Sequence, residues 1–245
     1  MSNSTQTVIV TGSSSGIGLD IARAFLDRGA NVVLNGRNVE KLERVARGLG
    51  ARDRVATVSG GIGDKRTGEA LVKTAVERFG GVDVLVNNAG TFAPKPFLDV
   101  TEDELDGYFT NNLRGTYLTT QAVVRQLREQ GRGGSIVNIG TVLIDHAITG
   151  LPASAPLVSK GGIHALTNSL AAELAPDDIR VNLVAPGVIR TPLQGEGVDA
   201  YGGLHLLNRV GEVAETTAAV LYLTDATFTT GHQLRVDGGF VIGRA

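Results

Sequence analysis

The fold of this 245-residue chain is decided by residues 7–18, which read TVIVTGSSSGIG. Four strand-forming residues run into a glycine-rich loop, and a helical pattern follows at once. Gly12 permits the tight turn, Gly16 lets a phosphate approach the backbone, and Gly18 allows close packing of helix on strand. Unpaired N–H groups and the positive end of the helix dipole then favour an anion. The stretch therefore predicts the phosphate loop of a dinucleotide-binding domain, and residues 11–18 are called the glycine loop below.

The rest of the chain alternates in the same way between strand-like and helical segments. Seven strands are predicted, at Thr7–Val10, Asn31–Leu34, Val55–Val58, Val82–Asn87, Ser135–Ile139, Arg180–Ala185 and His232–Val236. Six helices are predicted, at Gly18–Arg28, Val39–Leu49, Gly68–Phe79, Glu102–Gln130, Pro156–Leu174 and Val213–Thr224. This alternation predicts an α/β fold, a doubly wound and mostly parallel sheet that forms one domain over residues 1–245.

Composition narrows the classes of function. The chain is 42% hydrophobic and 20% charged, and its net charge of -2 gives no reason to expect a nucleic-acid or membrane partner. It contains no cysteine, which excludes disulfides and thiolate chemistry and suits a reducing compartment. No apolar run reaches the roughly 20 residues of a membrane span, and Met1–Gln6 lacks the pattern of a signal peptide. We therefore expect a cytoplasmic protein.

The glycine loop has the Thr-Gly-x-x-x-Gly-x-Gly spacing, which resembles that of the short-chain dehydrogenase/reductase family. Further motifs that resemble the family follow in order: Asn87-Asn88-Ala89-Gly90, Asn112, Ser135–Ile139, Ser159-Lys160-Gly161, Pro186–Thr191 and Val236–Gly239. They span nearly the whole chain. The resemblance implies a Rossmann fold, a nicotinamide dinucleotide, a small-molecule substrate, and a homotetramer or homodimer in which the long helices pack against partner copies.

The resemblance also implies which residues hold the cofactor. These are Gly12, Ser14, Ser15, Gly16, Ile17 and Gly18 in the glycine loop, Arg37 after the second strand, Ile62 after the third, Asn88, Ala89 and Gly90 after the fourth, Lys160, and Pro186, Gly187, Ile189 and Thr191 after the sixth.

The type of residue at the end of the second strand indicates whether the chain prefers NAD or NADP. An acidic residue there suits NAD, whereas an arginine suits the 2′-phosphate of NADP. This chain has Asn35-Gly36-Arg37, so we expect NADP rather than NAD, with Arg37 as a solvated loop residue as the alternative. Gly61 stands where relatives carry an aspartate that helps hold the adenine, which leaves Ile62 to pack on that ring.

In the family, a Tyr-x-x-x-Lys pair and a serine carry out the chemistry. Lys160 matches the lysine, but the residue four positions earlier is Pro156, which has no hydroxyl. None of the four tyrosines lies where a small shift in alignment would restore the motif. Thr141 corresponds to the serine. By the resemblance, Asn112 corresponds to the asparagine that sits at a helix distortion and positions the lysine through a water, although a buried asparagine bonded to backbone is the alternative.

Two residues are candidates to replace the tyrosine. His146 follows Asp145 in the segment that borders the nicotinamide in relatives, and an imidazole can donate a proton, but His146 is also compatible with a packing role. Tyr201 lies in Thr191–Gly203, a glycine-rich segment that is either a substrate flap or a plain surface loop. No grouping of His, Asp and Glu has metal-ligand spacing, so no metal is expected.

Three functions fit these residues. The first is an NADP(H)-dependent oxidoreductase acting on a small carbonyl or alcohol, with an atypical active site and a proton from water or His146. The second is a catalytically silent dinucleotide-binding protein, such as a sensor or an assembly partner. The third is a dehydratase or isomerase on the same scaffold.

Overall fold

In the computed structural model, which describes residues 5–243, seven parallel strands form one sheet in the order β3-β2-β1-β4-β5-β6-β7. This order confirms the predicted doubly wound Rossmann fold. The strands are β1 (Thr7–Val10), β2 (Asn31–Gly36), β3 (Val55–Ser59), β4 (Val84–Asn87), β5 (Gly134–Ile139), β6 (Ile179–Pro186) and β7 (Gln233–Val236).

Helices cover both faces of this sheet. They are α1 (Gly16–Asp27), α2 (Val39–Gly48), α3 (Lys65–Phe79), α4 (Glu102–Tyr108), α5 (Gly115–Gln130), α6 (Ser154–Leu174) and α7 (Val213–Asp225). The predicted single helix Glu102–Gln130 is wrong in one respect: a π-helical segment, Phe109–Arg114, lies between α4 and α5. The interruption coincides with the buried side chain of Asn112, which bonds to groups outside the helix. Hydrophobic periodicity carries no signal for such a bulge.

The unbroken apolar run of β1 is explained by its position in the centre of the sheet. Val8 and Val10 point into a cluster with α1 and α7, whereas Ile9 points into a second cluster with α3, α5 and α6. All three side chains are fully buried. A strand that is covered on both faces has no solvent side, so it does not alternate apolar with polar residues.

The strand order reverses at β1. This strand pairs with β2 on one side and with β4 on the other, so the chain leaves their carboxyl ends in opposite directions. A crevice opens at such a switch point, and ligands of open α/β sheets bind there. The glycine loop and the Asn87–Gly90 segment border this crevice. Among residues 5–243, no helix is long and apolar enough to cross a membrane.

Candidate active site

The glycine loop is held against the segment that follows β4. The side-chain amide of Asn88 donates to the carbonyls of Thr11 at 2.9 Å and Gly12 at 3.1 Å. Gly12 has φ +64°, and a Cβ on it would lie 2.7 Å from the Cα of Ala89. A Cβ on Gly18 would collide with the Asn88 amide and the Gly12 carbonyl. At Gly12 and Gly18, therefore, the loop lies so close to neighbouring protein segments that a side chain would not fit.

The N-terminus of α1 is open toward a ligand. The helix begins at Gly16, and the side chain of Ser15 makes no capping bond to it. The first N–H groups of a helix have no acceptor within the helix, so they are available to an anion. Thr191 lies over this end, with its Cβ 3.5 Å from the position of a Cβ on Gly16. These N–H groups, next to Thr191, are chemically suited to a dinucleotide diphosphate.

The end of β2 is anchored on its neighbours. The Asn35 amide donates to the carbonyls of Val58 and Gly60, both at 3.1 Å, and Gly36 packs against Ser14. Arg37, the next residue, is exposed.

Ile62, the predicted adenine contact, is buried. A Cβ on Gly115 would lie 2.5 Å from its Cγ1, so Ile62 packs against the start of α5.

Lys160 is buried at the carboxyl end of β5. Its Nζ donates to the carbonyl of Ile139 at 2.7 Å. Burial lowers the pKa of this ammonium to about 8, because the charged form loses its hydration. A Cβ placed on Gly90 would lie 3.1 Å from Asn112 Oδ1 and 3.3 Å from Lys160 Nζ. Lys160, Asn112 and Gly90 are therefore brought together at this end of the sheet.

Asn112 bridges three parts of the chain. Its Oδ1 accepts from the Thr91 N–H at 2.8 Å, and its Nδ2 donates to the Thr91 carbonyl at 3.0 Å and to Ser159 Oγ at 2.9 Å. The bond that it makes with α6 is to Ser159, the neighbour of Lys160. Asn112 therefore lies in a distorted, π-helical stretch and also bonds to the backbone of Thr91, so the structure is compatible with both interpretations of this residue.

Thr141 lies two residues beyond Ile139, and Pro156 lies in the first turn of α6. The hydroxyl of Thr141 accepts from the Leu143 N–H at 3.3 Å. Pro156 is buried as the third residue of α6, where a backbone N–H has no role in the helix.

His146 and Asp145 face different partners. The His146 ring packs edge-on against Phe240, with centroids 5.9 Å apart. The Asp145 carboxylate accepts from Arg235 at 2.9 Å and also from Gln233. The two neighbours in sequence are therefore not paired with each other.

His205, which no sequence motif marks, joins the short helical segment Val198–Leu204 to the residues that follow β6. It is buried, its Nε2 accepts from the Val188 N–H at 3.2 Å, and its Nδ1 lies 3.2 Å from the Tyr201 carbonyl. A Cβ on Gly187 would lie 2.8 Å from Nε2. Pro186 ends β6, and Ile189 is buried beside Gly211. No local motif marks this histidine, because its partners come from separate segments.

Known proteins resemble this chain over nearly its whole length. A family model described as enoyl-(acyl carrier protein) reductase matches residues 12–241. A solved short-chain type dehydrogenase/reductase from Mycobacterium marinum superposes with a TM-score of 0.93 at 30% identity, covering 98% of this chain and 97% of that one. This chain belongs to the short-chain dehydrogenase/reductase family.

Curated relatives agree with this assignment. The uncharacterized oxidoreductase YohF of Escherichia coli is 36% identical over 97% of this chain and 96% of its own. The L-rhamnose 1-dehydrogenase (NAD(P)(+)) of Azotobacter vinelandii is 36% identical over 97% of each chain. These names place the chain among the oxidoreductases. Within residues 5–243, no cluster of three or more metal-ligating side chains is present.

Proposed function

We propose that this protein is an NADP(H)-dependent oxidoreductase that interconverts a small carbonyl compound and an alcohol through an atypical active site. The observation that carries the proposal is the grouping of buried Lys160 and Asn112 at Gly90, at the same sheet edge as the open N-terminus of α1. Burial of a lysine without a carboxylate partner lowers the stability of the fold. Such a lysine is therefore more typical of a functional site than of a purely structural position.

The cofactor would lie across the switch-point crevice. Its diphosphate would accept hydrogen bonds from the free N–H groups at Gly16–Gly18, next to Thr191. Lys160 would bind its nicotinamide ribose. Exposed Arg37 and the lack of an acid at the end of β2 support NADP over NAD. The remaining contacts are those that the resemblance implied at Asn88–Gly90 and Pro186–Thr191.

The catalytic roles follow from what each side chain can offer. When bound, the cofactor supplies or accepts a hydride. Thr141 would polarise the substrate carbonyl with its hydroxyl, and Asn112 would hold the start of α6 in register through Ser159. Pro156 stands where the family places its tyrosine, so the proton would come from water or from His146.

We extend the proposal to the substrate and the assembly. A sugar or simple alcohol is supported by relatives that are named L-rhamnose 1-dehydrogenase and (R)-specific alcohol dehydrogenase, and Thr191–Gly203 would act as the flap over it. A homotetramer or homodimer is supported by half-exposed Tyr117 on α5 and Val158 on α6, which would be covered by partner helices. A cytoplasmic location is proposed from the sequence, which suits a reducing compartment because it contains no cysteine.

A catalytically silent dinucleotide-binding protein is the second candidate, and the observation that favours it is Pro156. Calorimetric titration with NADPH and separately with NADH, followed by assays on a panel of ketones, aldehydes, sugars and alcohols, decides between the two. We expect micromolar NADPH affinity, weaker NADH affinity and measurable turnover. Binding without turnover would favour the silent protein, and binding of neither dinucleotide would refute both functions.

A further inference from the structure

The backbone that leaves β6 is held in part by a buried side chain. The N–H groups of Gly187 and Arg190 donate to backbone carbonyls, at 3.0 and 2.8 Å. The N–H of Val188 differs, because its acceptor is a side-chain nitrogen, Nε2 of His205, at 3.2 Å. Backbone N–H groups that are withdrawn from water are almost always paired. His205 therefore does for Val188 what main-chain carbonyls do for its neighbours.

The other ring nitrogen of His205 faces a second segment. Nδ1 lies 3.2 Å from the carbonyl of Tyr201, within the short helical segment Val198–Leu204. A carbonyl can only accept a hydrogen bond and a backbone N–H can only donate one, so Nδ1 must carry the proton and Nε2 must be unprotonated. The two partners together therefore select the neutral Nδ1–H tautomer.

The ring is packed directly on the backbone that it bonds to. The side chain of His205 is buried, and its ring centroid lies 5.5 Å from that of Phe240. A Cβ on Gly187 would lie 2.8 Å from Nε2, and a Cβ on Gly238 would lie 3.3 Å from the His205 Cβ. A side chain at Gly187 would therefore displace the ring from its bond with Val188.

The charged groups near the ring are bonded elsewhere. Arg209 and Glu215 border the same small cavity as His205, but they pair with each other at 2.9 and 2.6 Å. The Asp237 carboxylate, also at this cavity, accepts from two backbone N–H groups of its own turn, both at 3.0 Å. A carboxylate bonded to the ring would favour the imidazolium form. Within residues 5–243 His205 has no such partner, which agrees with a neutral ring.

The segment that His205 holds leads to the open N-terminus of α1. Thr191 follows Val188 by three residues, and its Cβ lies 3.5 Å from the position of a Cβ on Gly16. A displacement of the Val188 backbone would be passed on to Thr191, because only two residues separate them. The geometry of the proposed diphosphate site therefore depends on how the start of this segment is fixed.

We propose that His205 is a positioning residue for the dinucleotide. As the neutral Nδ1–H tautomer it fixes the backbone at Gly187 and Val188 and joins Val198–Leu204 to it. The inference rests on the proposed binding of NADPH across the switch-point crevice. His205 acts through the Val188 backbone and not by contact with the cofactor.

The first experiment determines the tautomer in the native protein without cofactor. The four histidines are labelled with ¹⁵N in the ring, their resonances are assigned with single His→Gln variants, and long-range ¹H–¹⁵N correlations are recorded at mildly alkaline pH. We expect a protonated Nδ1 and an unprotonated Nε2 for His205. A proton on Nε2 would overturn the inference, because that nitrogen could not then accept from Val188.

The second experiment compares His205→Gln with His205→Asn by calorimetric titration with NADPH. The glutamine amide reaches the position of Nε2 and keeps an acceptor for the Val188 N–H, whereas the asparagine amide reaches only the position of Nδ1. We expect affinity within about threefold of native for glutamine and about tenfold weaker for asparagine, the size of one lost hydrogen bond. The same two changes at exposed His232 are matched controls and should leave the affinity unchanged.

The outcomes separate this inference from the proposed function. A native protein that binds no NADPH would refute the proposed function. A native protein that binds NADPH, together with a His205→Asn variant of equal affinity, would refute the positioning role alone. Equal losses of affinity in the two His205 variants would also refute it, because a ring that only fills space is not replaced by an acceptor at the position of Nε2.

Discussion

The side-chain amide of Asn112 donates a 2.9 Å hydrogen bond to Ser159 Oγ, which in turn donates to the Pro156 carbonyl at 2.7 Å. This chain of bonds joins the π-helical segment to the first turn of α6. Because Lys160 follows Ser159 directly, the same chain sets the rotation of α6 that turns Lys160 toward Gly90. The predictions below test the parts of the site that depend on such contacts.

Replacing Asn112 should destabilise the protein and weaken cofactor binding together. Asn112→Ala leaves the Thr91 N–H and carbonyl without their partner, and a buried polar group left unpaired costs about 1–3 kcal/mol. We expect the free energy of unfolding in urea to fall by about 2 kcal/mol or more. Asn111→Ala is the matched control, because within residues 5–243 the Asn111 side chain bonds to the Gly107 carbonyl of its own turn and to no other segment. Equal losses in the two variants would contradict the bridging role.

Gly18→Ala should abolish dinucleotide binding. Its new methyl group would collide with the Asn88 amide and push the glycine loop out of place. Gly48→Ala, at the end of α2, adds the same methyl group in open space and should stabilise the helix by up to about 1 kcal/mol. Calorimetry with NADPH on both variants checks the contrast, and retained affinity in Gly18→Ala would show that the loop can shift at little cost.

Arg37→Glu should reverse the cofactor preference. The change removes a donor for the 2′-phosphate and adds an acceptor for ribose hydroxyls, and hydrogen bonds to charged groups contribute about 1.5–3 kcal/mol. We expect NADPH affinity to fall by about 10- to 100-fold while NADH affinity holds or rises. Arg44→Glu on α2 carries the same charge change at another exposed position. An equal loss of NADPH affinity in both variants would show that the effect comes from general electrostatics and not from recognition of the 2′-phosphate by Arg37.

The pKa of Lys160 predicts how stability depends on pH. Burial lowers it from 10.5 to about 8, so the unfolded chain binds this proton more tightly than the folded one. The free energy of unfolding should therefore rise between pH 8 and about 10.5, by an amount on the order of 3 kcal/mol.

Lys160→Met removes the titrating group while keeping much of its volume. The difference in unfolding free energy between native protein and Lys160→Met, measured by urea denaturation at several pH values, should change steeply from pH 8 to 10.5. A constant difference across that window would mean that Lys160 is not desolvated in the folded state.

Much of the fold followed from local patterns. The run TVIV predicted β1 to the residue because a central strand must be apolar on both faces. The boundaries of α2 and β5 differed from prediction by a single residue each. The helix Glu102–Gln130 was the main error, because the bulge at Asn112 is stabilised by Thr91 and Ser159, which lie 21 and 47 residues away along the chain.

The sequence by itself determined the doubly wound sheet, and it predicted the glycine loop, Lys160 as a residue of the site and Pro156 at the position where the family carries its tyrosine. These depend on residue type and on spacing within one strand or helix, which hydrophobic period and glycine placement encode directly. Only the tertiary structure decided that Asp145 turns to Arg235 and that His205 joins the Val198–Leu204 segment to the residues that follow β6. Each of these depends on how separate segments pack, and contacts between distant residues leave no periodic trace in a single sequence.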